Sequence, residues 1–248
     1  MKFLRAFFRL LYFTLIAMVR IVQIVGLNVL FGENMPRTLR IRRSWARHWL
    51  PALGVQSSVE GNPPDFPCIL MGNHRSYLDP FVLVCDVHGL VVAKSELSSW
   101  PIFGYGAKIT GVLFLKRENP QSRKFTLNRI AQKVAEGFPV FLYPEGTTGA
   151  LNQTLDFRIG GFILAASNNI PIVPVAIEYG SKDDYWVGDD TFVAHFFRRF
   201  SEKKMRVAVR FGFPILGSDA TLLSAQCKSW LDAQLPEMQE SLKRSAEI

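Results

Sequence analysis

The sequence predicts an α/β protein: a layered, largely parallel β-sheet flanked by helices, preceded by an N-terminal membrane-attached helical segment. Three observations carry this. From Leu53 onward, short apolar runs of strand length alternate with stretches of helical periodicity. Several of those runs stop at a polar, potentially reactive residue, as at His74, Lys94, Arg117 and Glu145. Residues 3–31 are overwhelmingly apolar, with large side chains on every helical face.

That first stretch is broken by Arg9, Arg20, Gln23 and Asn28 and shows no convincing secretory cleavage site. A spanning helix needs about 20 apolar residues, and Arg20 falls where its middle would be. Two membrane readings stand: a tilted or broken span with a snorkelling arginine, or a helix lying in one leaflet. Arg37, Arg40, Arg42, Arg43 and Arg47 follow, with Trp45 and Trp49 among them, a composition suited to an anionic headgroup layer. If the segment spans, the positive-inside rule places the remainder on the cytoplasmic side. The expected division is residues 1–50 for attachment and 51–248 for the α/β domain.

The domain opens on a strand, VQSSVE, and a proline-rich turn, NPPDFP. The run Cys68–Met71 reads as a buried strand. Asp79-Pro80 reads as the start of a helix reaching His88. LVVAK and GVLFLKR read as further strands, Ser122–Glu136 as a helix closed by Gly137, and FPVFLYPEG as strand and loop. Residues 160–169 read as a helix, IPIVPVAIEY as a buried strand, and MRVAVRF as a late strand. Asp219 caps a final amphipathic helix.

The chain has 248 residues, 48% of them hydrophobic, and 29 Lys and Arg against 21 Asp and Glu, a net charge of +8. The charge calls for an anionic partner. The basic residues flank apolar sequence and no nucleic-acid motif is present, so membrane lipid is the expected partner rather than nucleic acid. Cys68, Cys85 and Cys227 are scattered and form no metal or disulfide framework.

Ligands of open α/β sheets gather at the carboxyl ends of the strands, so His74, Lys94, Arg117 and Glu145 are expected in one crevice. His74 lies in the loop after a strand with Asp79 five residues on. Such a pair suits a general base, the carboxylate fixing the imidazole tautomer, although Asp79 could equally serve only as a helix cap. Arg117 and the backbone N–H groups around Gly146 suit a phosphate.

These blocks resemble the glycerolipid acyltransferase family, which includes the lysophosphatidic acid acyltransferases. N-H-x4-D is met by Asn73, His74 and Asp79. K-x-E-L…P-x-F-G…G-x-x-F-x-x-R is met from Lys94, Glu96 and Leu97 through Pro101, Phe103 and Gly104 to Gly111, Phe114 and Arg117. F-P-E-G-T-R is met by Tyr143 to Thr147, and I-P-I-V-P-V by Ile170 to Val175. The resemblance implies acyl transfer from acyl-CoA or acyl-carrier protein to a lyso-lipid hydroxyl, such as that of 1-acylglycerol-3-phosphate. It implies no metal, prosthetic group or serine nucleophile. His74 would be the base and Asp79 its partner. Arg117, Glu145, Gly146 and Thr147 would belong to the acceptor site, with Lys94 a candidate for the oxyanion.

One position departs. Thr148 stands where the third motif usually has arginine, and a threonine cannot grip a phosphate as a charged fork. Either Arg158 reaches the same anion, or the acceptor is another lyso-lipid, such as a lyso-ornithine lipid. Two other classes compete: a non-catalytic membrane-binding module, and a hydrolase in which the same base activates water.

Overall fold

The computed structural model describes residues 2–116 and 118–244; the expected phosphate ligand Arg117 lies outside the described residues. Seven strands form one sheet: β1 (Val55–Glu60), β2 (Ile69–Gly72), β3 (Leu90–Lys94), β4 (Leu113–Leu115), β5 (Val140–Leu142), β6 (Ile172–Tyr179) and β7 (Met205–Phe211). Their spatial order is β1-β7-β6-β2-β5-β3-β4, and every neighbouring pair is parallel except β6–β7. β2 and β6 are buried at every residue, as strands covered on both faces require. Because β2 to β6 run the same way, the loops after β2, β3, β4 and β5 meet at one carboxyl edge.

Eight α-helices flank the sheet among the described residues: α1 (Lys2–Phe31), α2 (Met35–Ala52), α3 (Asp79–Leu83), α4 (Phe103–Ile109), α5 (Pro120–Ala135), α6 (Gly160–Ser167), α7 (Phe192–Phe200) and α8 (Ala220–Arg244). α5 starts where Asn119 accepts the Ser122 N–H, with Pro120 in its first turn. Asp219 caps α8 through the N–H groups of Thr221 and Leu222, as the sequence predicts. α3 is far shorter than the helix expected through His88. The sequence does not signal α4, with two glycines in seven residues, or α7.

α1 is long and apolar enough to cross a membrane by length and composition. It lies along the α/β unit. Ala6, Phe13, Ala17 and Ile24 form its buried face, while Phe8, Leu15, Val19 and Val22 face outward and exposed. Arg9 donates to the carbonyls of Phe200, Glu202 and Lys203, and Phe3 stacks on Phe197 at 5.1 Å. Near its end, Ile21 packs on Gly106 of α4 so closely that a Cβ there would sit 2.9 Å from the Ile21 side chain.

The arginine-rich α2 corrects part of the headgroup reading of residues 37–47, while Arg40 is exposed. Arg42 is buried and donates to the carbonyls of Thr110 and Gly89; Arg43 and Arg47 both donate to Cys85 O. Trp49 is buried and packs tilted against Phe13 at 4.5 Å, while Trp45 stacks on the same ring at 5.4 Å. These cations satisfy the carbonyls of the segments around α3, β3 and α4, and these tryptophans belong to the core.

Candidate active site

β2 hands the chain to the loop that carries His74 through Asn73. The Asn73 amide donates to Ile177 O and accepts from Ile177 N, both at 2.8 Å, so the side chain pairs with β6 as a peptide group would. His74 follows, pinned by its own backbone: its N–H donates to Glu145 Oε1 at 2.9 Å and its carbonyl accepts from Gly149 N at 2.8 Å. The His74 side chain is 17% exposed and its Nδ1 lies 2.7 Å from Asp79 Oδ2.

Asp79 is fully buried, and no side chain caps α3. Its Oδ2 also accepts from the backbone N–H groups of Arg75 (2.7 Å) and Ser76 (3.0 Å), and its Oδ1 from Tyr179 Oη at 2.6 Å. The helix-cap reading of Asp79 therefore gives way to that of a partner to His74. The burial of this carboxylate is offset by three neutral donors and the imidazole. Burial and the neighbouring Asp79 charge push the Tyr179 hydroxyl well above its usual range, so it stays a donor. With Nδ1 facing a carboxylate, His74 carries its proton there and leaves Nε2 as the basic nitrogen. Tyr143 lies flat against the imidazole, centroids 4.2 Å apart and planes 17° apart.

The third motif forms the opposite wall. Glu145 is buried, and its second oxygen accepts from Leu155 N at 3.0 Å. Burial pushes its carboxyl up against the pull of the two backbone donors. Its visible work is to tie the β5 loop to His74 and to residues 149–155. Gly146 has φ +71°, and a Cβ there would lie 2.6 Å from Arg158 Nε. Only glycine meets both demands. Arg158 is thereby laid across the motif loop, exposed, its backbone N–H on Pro144 O at 2.9 Å. Thr147 is exposed on the same loop; Thr148 donates its hydroxyl to Trp186 O.

Beneath this edge lies a cavity of about 450 Å³. His74, Tyr77, Thr147 and Trp186 line it at the catalytic end, Lys94, Val92 and Val91 along β3, and Phe13, Trp45, Phe81 and Phe103 as its aromatic wall. Lys94 is exposed at the end of β3. The structure thus brings His74, Asp79, Glu145, Gly146, Thr147 and Arg158 together, with Lys94 on the same cavity.

The comparisons with known proteins decide the family. The family model described as Acyltransferase matches residues 55–178, which hold every one of these groups. The lyso-ornithine lipid O-acyltransferase of Rhizobium meliloti is 32% identical over 197 residues, covering 70% of this chain and 68% of that protein. The chain belongs to the acyltransferase family. The chloroplastic 1-acyl-sn-glycerol-3-phosphate acyltransferase BAT2 of Brassica napus is 30% identical over 66% of this chain and 45% of its own length. The fold agrees with that of the 1-acyl-sn-glycerophosphate acyltransferase PlsC from Thermotoga maritima, at a TM-score of 0.73 and 21% identity over 96% of this chain and 98% of that one.

Within this acyltransferase, sequence reasoning missed the groups behind the dyad. Tyr179 is one. The buried pair of Arg75 and Glu178 (3.2 Å) is another, Arg75 also donating to Gly149 O at 2.9 Å and so bracing the loop that holds His74. Tyr77 joins α7 through His195, its hydroxyl 3.0 Å from Nδ1, while Nε2 lies 3.1 Å from Tyr185 O. The ring nitrogen facing the carbonyl must donate, and burial, which lowers the His195 pKa, favours the neutral ring, so Nδ1 accepts from the Tyr77 hydroxyl.

Proposed function

We propose that this acyltransferase moves a fatty acyl group from acyl-CoA or acyl-carrier protein to the free hydroxyl of a lyso-lipid at a membrane surface. The observation that carries the reading is a His–Asp dyad whose histidine lines a mostly apolar cavity of about 450 Å³. His74 Nε2 takes the proton of the acceptor hydroxyl as its oxygen attacks the thioester carbonyl, and Asp79 stabilises the imidazolium. Collapse of the tetrahedral intermediate breaks the carbon–sulfur bond, and the imidazolium returns the proton to the departing thiolate. The thioester is already activated, so base and positioning suffice without a metal or prosthetic group. Lys94 is the candidate for the oxyanion.

The acceptor we propose is 1-acylglycerol-3-phosphate, giving phosphatidic acid, with Arg158 and Arg117 holding its phosphate beside Gly146 and Thr147, and Glu145 fixing that loop. A second reading, a lyso-ornithine or other lyso-lipid acceptor, is favoured by Thr148, which spends its hydroxyl on Trp186 and offers no charge. The exposed stripe of α1 would rest in one leaflet with the catalytic unit on the cytoplasmic side. The test is purified protein with labelled acyl-CoA and a panel of lyso-lipids. Labelled phosphatidic acid supports the first acceptor, product from another lyso-lipid alone the second, and acyl-CoA consumption without any acceptor would make the protein a hydrolase.

A further inference from the structure

Six buried side-chain nitrogen or oxygen atoms among the described residues have no hydrogen-bond partner, and five belong to residues lining the one apolar cavity: Arg20 Nε, Arg42 Nε, Trp45 Nε1, Trp49 Nε1 and Tyr143 Oη. Four of the five are N–H groups, able to donate and unable to accept. No Asp or Glu among the described residues lines the cavity. An unmatched buried donor carries its full desolvation penalty, so such a concentration marks a place where an acceptor belongs.

Two of the five unmatched groups, on Arg20 and Arg42, belong to the end of the cavity remote from His74. Val91, Val92, Ala93 and Lys94 all line the cavity, which therefore follows β3 from the carboxyl edge back to its start. Arg42 stands at that start, since it holds the carbonyl of Gly89, the residue before β3. It also holds Thr110 O, and Thr110 in turn donates to Gly106 O, against which Ile21 packs. Arg20 adjoins Ile21, and its Nη1 is held by Gln23 at 2.8 Å. Tyr143 lies at the other end, under His74. The apolar chamber thus ends on two guanidiniums, and burial lowers Arg42 only to about 10, so it stays charged at neutral pH.

We infer that this far end is a binding site for an oxygen function on the buried chain: the chamber receives acyl tails bearing a hydroxyl or carboxylate at the end remote from the thioester, with Arg20 setting the preference. The inference rests on the reading of the cavity as the acyl chamber. A methyl end leaves both Nε–H groups unmatched; an oxygen end accepts from them. Arg20 is the residue to change, because Arg42 also holds two backbone carbonyls.

The test is calorimetric binding of acyl-CoA pairs, methyl-ended and hydroxyl-ended at equal length, to full-length His74→Ala protein in detergent, where no turnover occurs. At the length that reaches Arg20, Arg20→Leu should weaken the hydroxyl-ended member relative to its methyl-ended twin by about tenfold, a charge-assisted hydrogen bond's worth. Arg20→Gln, which keeps a donor, should retain part of the preference, and shorter pairs should show none. An unchanged ratio in Arg20→Leu at every length, the donors being met by water, would overturn the inference and leave the chamber standing. No binding of either member at any length would remove the chamber and the inference together.

Discussion

Two polar regions meet at His74 and differ in how their hydrogen bonds are arranged. Around Asp79, within a few ångströms, every acceptor is matched: three neutral donors and an imidazole serve one carboxylate. Along the cavity five buried side-chain polar atoms go unmatched, four of them N–H donors. The first region is complete without a ligand, as groups that must hold a reacting atom in place have to be. The second is complete only with one. On the proposed function, the difference separates the part of the molecule that would perform the chemistry from the part that would select what is brought to it.

The contrast can be broken most directly at its shared residue. His74→Ala should cut acyl transfer by about 10²–10⁴, the range of a general base, in a labelled-lipid assay, with the thermal midpoint close to wild type. Next comes the brace behind the dyad. Arg75→Met strands Glu178 in the core and should destabilise the fold by about 3–5 kcal/mol in denaturant titration, whereas Arg75→Met with Glu178→Leu should recover much of that. A double variant no more stable than the single would mean that the loop carbonyl of Gly149, not the ion pair, dominates.

A finer probe is Tyr179→Phe, which deletes one donor to Asp79 and keeps the ring. It should lower kcat by roughly tenfold with KM nearly constant, since a hydrogen bond to a charged group contributes about 1.5–3 kcal/mol. A change confined to KM would place Tyr179 in substrate binding instead.

The smallest expected effect lies on the cavity side. Burial pushes the His195 imidazole below its ordinary 6.5, with Arg198 adding to the shift. A histidine depressed in the fold binds its proton more readily when unfolded, so its stabilising contribution is full above pH 6.5 and is lost as pH falls below it. Thermal midpoints measured from pH 7.5 to 5 should fall more steeply for wild type than for His195→Gln. Parallel curves would show that His195 does not titrate on unfolding.

The same division explains what the sequence revealed. The His74, Glu145 and Lys94 loops were legible as strand ends because parallel strands carry their carboxyl ends to one edge, and that edge needs only the alternation of strand and helix to be inferred. Asp79 was legible because it sits five residues from His74. Tyr179 and Glu178 were not: they lie about a hundred residues from the groups they hold, and at the end of a mostly apolar buried strand a tyrosine reads as packing. The arginines of α2 misled for a different reason. A guanidinium finds the same oxygen geometry in a lipid phosphate and in the carbonyls ending a helix or opening a strand, and composition does not distinguish them. The cavity was illegible because its lining comes a few residues at a time from α1, α2, β3, α4, α7 and the loops around His74 and Thr147.

α1 has Phe13, Ala17, Ile21 and Ile24 toward the cavity and Leu15, Val19 and Val22 facing outward. With that outer face resting in a leaflet and the cavity taking the acyl chain, as proposed, it would be a partition about one helix thick, on the order of 10 Å, between two spaces that both dissolve hydrocarbon. A tail supplied from a bilayer exchanges one oil for another in crossing it, and the area term that drives most apolar ligands into proteins nearly vanishes. Greasiness then cannot be what this protein discriminates by; among tails, the choice falls to length, shape and whatever the tail carries at its tip.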